Sequence, residues 1–404
     1  MIEASSPAGP PGESQANGAG EDTPIGFVPP VYPYDKLDEL AKIAQGHDGG
    51  VVDLSIGTPC DAPADQVLEA LASSGTERGY PSSIGTAEYR EAASAWMSRR
   101  FGLDGAAPAL AACIGTKEFV SGVPHWLRLK TPERDTVLCP MLAYPTYEMG
   151  AVLAQCRAVA VPLCPDGTMD LSAISPDDAG RALCLWVNSP GNPAGQLEDL
   201  GAVARWGRSK GVPVFSDECY VEFTWAGPAH TILEHGPEGV VAVHSLSKRS
   251  NLAGLRAGFY AGDPELVAYL SRLRQHAGFM VPGPVQHAAA VALDDDAHVE
   301  QQRERYLERL TRFAKVLTDS GIDAAVPAGS FYLWVPAPKR VVPVPPDANP
   351  GWALTRWLAE HGGVLVAPGD TYGKAGSDHV RVALVQPDDR LDLVARRLAG
   401  ASLG

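Results

Sequence analysis

The sequence predicts an α/β protein: a mostly parallel sheet covered on both faces by helices, followed by a smaller α+β domain. Three observations predict it. AACIG (111–115), TVLCP (136–140), ALCLWV (182–187), VPVFSD (212–217) and VVAVHSL (240–246) are short runs too continuously apolar for a sheet with one wet face. Helical segments such as LEDLGAVARWGRSKG separate some of them, as crossovers between parallel strands require. Polar residues accumulate just after the runs, at the strand ends where such sheets gather ligands.

The elements follow in order. Residues 1–24 are rich in Pro, Gly and Ser and lack a basic start and an apolar stretch, so they are expected to form a disordered tail rather than a signal peptide. Residues 25–50 are assigned to the small domain; FVPPVYPYDKLDELAKIA passes there from extended prolines into a short helix. A large domain is expected over 51–290. It opens with VVDLSIGTPCDAP, read as a buried strand ended by Gly and Pro, and continues with the amphipathic helices DQVLEALASSG and EYREAASAWMSRRFG, each with a glycine stop. The remainder of the small domain, 291–404, starts with a polar helix near 294–320. It continues through the strand SFYLWVP, a proline-rich loop at 336–350, the helix WALTRWLAEHG and the strands GVLVAPG and HVRVAL.

The balance of 33 basic against 48 acidic residues gives a formal charge of −15, which repels phosphate backbones and anionic lipid. Neither nucleic acid nor a membrane is expected as a partner, and the apolar stretches are too short to span a bilayer. Seven scattered cysteines with no CxxC pair read as reduced thiols of a cytoplasmic protein. No metal site is expected: Asp294-Asp295-Asp296 is read as a solvated helix start, because acids suit that end.

Chemistry is concentrated at the strand ends. Gly115-Thr116-Lys117 forms a small-residue turn opening a helix, a seat for phosphate. Asn188-Ser189-Pro190-Gly191-Asn192 reads as a turn, and Asp217 with Tyr220 closes VPVFSD. After VVAVHSL come Ser245, Ser247 and Lys248, a lysine whose amine becomes a nucleophile if partly buried beside other cations. Arg256 adds a planar fork suited to phosphate. One ligand uses them all. Pyridoxal phosphate has an aldehyde needing an amine, a pyridine nitrogen needing a carboxylate, a phenolic oxygen needing donors, and a phosphate needing N–H groups and arginine. No GxGxxG after a strand, no GxxxxGK[ST] and no HExxH competes.

The motifs SLSK followed by GLRAG, NSPGNPAG, SDECY and YPSSIGTAEYR resemble those of fold-type I, class I/II aminotransferases, from about residue 25 onwards. HSLSKRSNLAGLRAGF, LAYPTY and VLVAPGDTYG most resemble actinobacterial N-succinyldiaminopimelate aminotransferases of lysine biosynthesis. The resemblance implies a seven-stranded sheet in the large domain, pyridoxal phosphate as cofactor, amino acid and 2-keto acid substrates, glutamate as donor, and a homodimer. It implies Lys248 as the amine that binds the aldehyde and moves the proton, Asp217 on the pyridinium nitrogen, and Tyr220 and Asn192 on the 3′ oxygen. Tyr144 stacks on the ring. Thr116, the backbone of Lys117, Ser245 and Arg256 hold the phosphate, with Gly115 and Ser247 beside them and Tyr80 reaching in from a second subunit. Arg381 takes the α-carboxylate, Gly57 lets backbone approach the substrate, and Tyr32 belongs to the distal pocket with Tyr34, Arg249, Tyr372 and Lys374. Tyr147 is read as core packing, and Arg381 on spacing alone as the solvent face of an edge strand. Other chemistries on this scaffold are β-lyases acting on C–S bonds, cyclopropane-forming synthases, and aspartate, alanine or aromatic aminotransferases. A cofactor-sensing transcription regulator would need a basic winged-helix domain before residue 25, where the sequence has only the Pro/Gly-rich tail.

Overall fold

The computed structural model describes residues 27–103, 108–340 and 349–401; the expected tail over 1–24 and the 341–348 part of the proline-rich loop lie outside them. A seven-stranded sheet has the order Ala109–Cys113, Gly258–Gly262, Val240–Ser245, Val214–Asp217, Ala182–Asn188, Thr136–Pro140, Arg157–Val161. Gly258–Gly262 alone in this sheet runs against its neighbours; the remaining pairs are parallel. Side chains alternate between two cores: Val240 and Ala242 enter one, Val241 and Val243 the other. That two-sided burial is why these runs are apolar on both faces, the buried Thr136 excepted, until they end.

Two strands of this sheet have no counterpart in the sequence reading. Arg157–Val161 is an edge strand whose Arg157, Ala158 and Ala160 are exposed although its sequence from Ala158 to Val161 is apolar. Gly258–Gly262 returns beside Val240–Ser245 after the short connection 246–257, which makes the pair antiparallel.

A second core gathers Val52, Leu54, Leu310, Phe313, Leu333, Val335, Leu354, Val380 and Val382. The expected strand over 51–63 shrinks to Val52–Asp53, paired parallel with Val364–Leu365. Beyond Leu54 the sequence Ser-Ile-Gly-Thr-Pro leaves the ladder. The run GVLVAPG splits: Val364–Leu365 pairs with Val52–Asp53, while Ala367–Pro368 joins a three-stranded sheet with His379–Ala383 and Tyr332–Pro336. His379–Ala383 is the middle strand there, so Arg381 is not on an edge; it is 2% exposed. The expected helix at 294–320 is Ala297–Asp319, and the acidic triplet spans its junction with the helix Gly283–Asp294. Asp295 accepts from the Ala297 N–H, and Asp296 pairs with Arg99. Among the described residues no helix is long and apolar enough to cross a membrane.

Candidate active site

Parallel strands all point their carboxyl ends one way, and three of them end on polar residues that converge. Ala182–Asn188 delivers Asn188, Val214–Asp217 delivers Asp217, and Val240–Ser245 delivers Ser245, the N-cap of the short helix Leu246–Arg249 that carries Lys248. The candidate cofactor- and substrate-binding residues other than Gly115, Tyr80 and the distal-pocket set Arg249, Tyr372 and Lys374 line one cavity of about 580 Å³ there. Gly115 is the N-cap immediately before the lining residue Thr116, and Tyr80 is 98% exposed and outside the lining.

The Lys248 ammonium donates to the Gly57 carbonyl. Burial pushes its pKa down to about 8, with the Arg381 and Arg256 charges adding to the effect and Cys219 opposing it. Asp217 is 6% exposed and accepts from the Tyr147 hydroxyl at 2.8 Å and the Cys219 N–H at 3.2 Å. Burial raises its pKa despite those bonds, and no cationic side chain pairs with it among the described residues. A buried carboxylate without a counter-cation suits a ligand that brings a protonated ring nitrogen.

The helix Thr116–Lys130 begins at Gly115, whose φ of 68° is one that glycine tolerates; it gives the first-turn N–H groups no side-chain cap. A Cβ at 115 would lie 2.1 Å from Arg256 Nη2, so only glycine lets the guanidinium sit over this helix start. Glu118 in the first turn would repel an anion, but Arg274 takes it in a bidentate pair at 2.8 and 2.5 Å. The turn therefore keeps its positive end for phosphate. Lys248, the unpaired Asp217 and this cradle together fit pyridoxal phosphate.

Arg381 donates to Asn192 Oδ1 at 2.8 Å and to the Ser55 carbonyl at 2.6 Å, with its guanidinium 4.0 Å from the Tyr332 ring centroid and 4.8 Å from that of Tyr372. It has no carboxylate partner among the described residues, so its charge is available to an incoming one. Lys117 reaches across the cavity mouth: its ammonium bonds the Tyr32 hydroxyl at 3.2 Å and lies 4.9 Å from the Tyr32 ring centroid. Its backbone can still serve phosphate while its side chain does something else.

Some expectations change. Arg249 does not face the distal pocket. It is 4% exposed, pairs with Glu222 and donates to the Ala292 carbonyl. Lys374 is exposed and outside the cavity lining, whereas Tyr372 is buried and bonds Tyr34 at 3.0 Å. Tyr147, expected as plain packing, does stack on Trp186, but its hydroxyl also holds Asp217. Tyr332 lines the cavity and had no assigned role; the pattern SFYLWVP marks its strand but not its partners. Replacing Tyr147 with Phe should lower the affinity of apo-protein for pyridoxal phosphate by about tenfold or more, since hydrogen bonds to charged groups contribute about 1.5–3 kcal/mol. Fluorescence titration measures this, and an unchanged affinity would leave Tyr147 a packing residue only.

The family model for aminotransferase class I and II matches residues 49–398. A probable aminotransferase, Rv1178, of Mycobacterium tuberculosis is 41% identical over 96% of this chain and 92% of its own length. The 4-dedimethylamino-4-oxo-anhydrotetracycline transaminase OxyQ of Streptomyces rimosus is 39% identical over 91% of this chain and 99% of its own. Among solved structures, a probable N-succinyldiaminopimelate aminotransferase from Thermus thermophilus superposes with a TM-score of 0.79 at 31% identity, covering 91% of this chain and 99% of that one.

Proposed function

The chain belongs to aminotransferase class I and II, a pyridoxal-phosphate-dependent family, and from that premise we propose that it moves an amino group from glutamate to a 2-keto acid carrying a second acidic group. N-succinyl-2-amino-6-ketopimelate, an intermediate of lysine biosynthesis, is the acceptor we favour. One observation carries the reading. Besides Arg256 over the phosphate seat and Lys248 for the aldehyde, two further cations line the same cavity, Arg381 and Lys117. Arg381 suits the α-carboxylate, and Lys117 with the Tyr32 hydroxyl suits the distal one.

In this reading Lys248 would hold the cofactor's aldehyde, and its Nζ would be the base that takes up and gives back the substrate's α-proton. When bound, the cofactor supplies an electron sink for the resulting carbanion. Asp217 would keep the ring nitrogen protonated, Tyr220 and Asn192 would bond the ring oxygen, and Tyr144 would stack on the ring. General acid–base transfer of this kind contributes roughly 10²–10⁴-fold. We also propose a homodimer in which the outward Tyr80 of each copy completes the other's phosphate seat.

A second reading is favoured by the tyrosines that line the cavity, Tyr32, Tyr34, Tyr144, Tyr220 and Tyr332, with exposed Ile56 among them. Such a wall suits a bulky planar ketone, the kind of molecule named for the Streptomyces relative. A spectrophotometric half-reaction screen separates the two. Glutamate and succinylated diamino acids should convert the cofactor fastest, and Lys117→Met should lower kcat/KM for them by about tenfold, sparing monocarboxylic substrates. Preference for neutral aromatic substrates would support the second reading. Pyruvate and ammonia formed without a keto acceptor would indicate a lyase.

A further inference from the structure

Tyr332 touches both halves of the site. Its hydroxyl lies 2.8 Å from the Tyr220 hydroxyl, and its ring face lies 4.0 Å from the Arg381 guanidinium. The residue is 1% exposed, wedged against Phe331 with ring centroids 4.8 Å apart. Gly57 fits around it: a Cβ there would lie 2.1 Å from the Tyr332 hydroxyl oxygen. That packing gives Gly57 a reason of its own beside the expected approach of its backbone to substrate. Among the described residues the Tyr332 hydroxyl has one hydrogen-bond partner, Tyr220. If the Tyr220 proton is used on the cofactor's oxygen, the Tyr332 proton must point at the Tyr220 oxygen, and each bond polarises the next.

We propose that Tyr332 is a positioning residue with two separable parts: a hydroxyl that directs the Tyr220 proton, and a ring that holds the Arg381 guanidinium for a carboxylate. The proposal rests on the reading that Tyr220 faces the cofactor and Arg381 the substrate. Tyr332 opens its strand and Phe331 immediately precedes it, and the Lys248 ammonium lies over the Phe331 ring while the Arg381 guanidinium lies over that of Tyr332. No other aromatic ring lies as near the Arg381 guanidinium among the described residues.

Two variants separate the parts. Tyr332→Phe keeps the ring and removes the hydroxyl. In the holoenzyme it should raise the pH midpoint of the cofactor's absorbance change by about 0.5–1 unit, because Tyr220 becomes a poorer donor. It should leave the Kd of succinate, a non-reacting dicarboxylate, within about twofold of wild type. Tyr332→Leu removes both and should also weaken succinate about 3- to 30-fold, the range expected for a lost cation–π contact. Tyr220→Phe is the control. If it moves the midpoint and Tyr332→Phe does not, the hydroxyl part is overturned. If Tyr332→Phe weakens succinate as much as Tyr332→Leu does, the ring part is overturned. If Tyr220→Phe itself moves nothing, the underlying assignment of Tyr220 fails instead. Should Tyr332→Leu fail to fold, Tyr332→Phe still decides the hydroxyl part, and Tyr332→Met takes the place of Leu for the ring part.

Discussion

Lys248→Ala protein should fail to capture pyridoxal phosphate covalently and should lose nearly all turnover. The proton transfer alone accounts for roughly 10²–10⁴-fold, and the lost covalent hold on the cofactor adds to it. The environment of Lys248 sharpens the expectation. Burial away from water holds its pKa near 8 instead of the usual range above 10. About a tenth of the amine is then neutral at pH 7, against well under a thousandth for an unshifted lysine. The sign follows from the direction of the shift: apo-protein should take up the cofactor faster as pH rises, and the rate should level off above about pH 8. Stopped-flow absorbance follows this. A rate still climbing tenfold per unit at pH 9.5 would show that the amine is not perturbed.

Arg381→Ala is the second large effect. The guanidinium is buried, held by Asn192, Ser55 and two aromatic rings, and faces the cavity without a carboxylate. Truncating one partner of a desolvated charge pair costs about 2–5 kcal/mol, so kcat/KM for the amino donor should fall by about 30-fold to several thousand-fold. Lysine at this position should recover little, because an ammonium cannot reproduce the two-pronged fork. The fall should appear for every amino acid substrate, unlike that of Lys117→Met, which is confined to those with a second acidic group. An unchanged Michaelis constant would remove Arg381 from the substrate site.

Much of the architecture was legible because a parallel sheet buried on both faces must be written as continuous apolar runs. The site was legible for the same reason: where each run stops, the first polar residues stand at a carboxyl end, which is how Asp217, Ser245 and Thr116 were found. What escaped was set by distance along the chain. Val52–Asp53 is a strand only because Val364–Leu365 lies beside it. Tyr147 and Tyr332 act through hydroxyl partners 70 and 112 residues away, Asp217 and Tyr220. Arg249 was misplaced by adjacency to Lys248. Consecutive residues on a helix point about 100° apart, and Arg249 turns to Glu222 while Lys248 turns to Gly57.

The most direct test is to add pyridoxal phosphate to the purified protein, reduce with borohydride, digest, and locate the pyridoxyl mass by sequencing the peptides. The account predicts one modified lysine, that of the peptide containing HSLSK, and none in Lys248→Ala protein. A pyridoxyl group on any other side chain, or none at all in the wild-type chain, would contradict it.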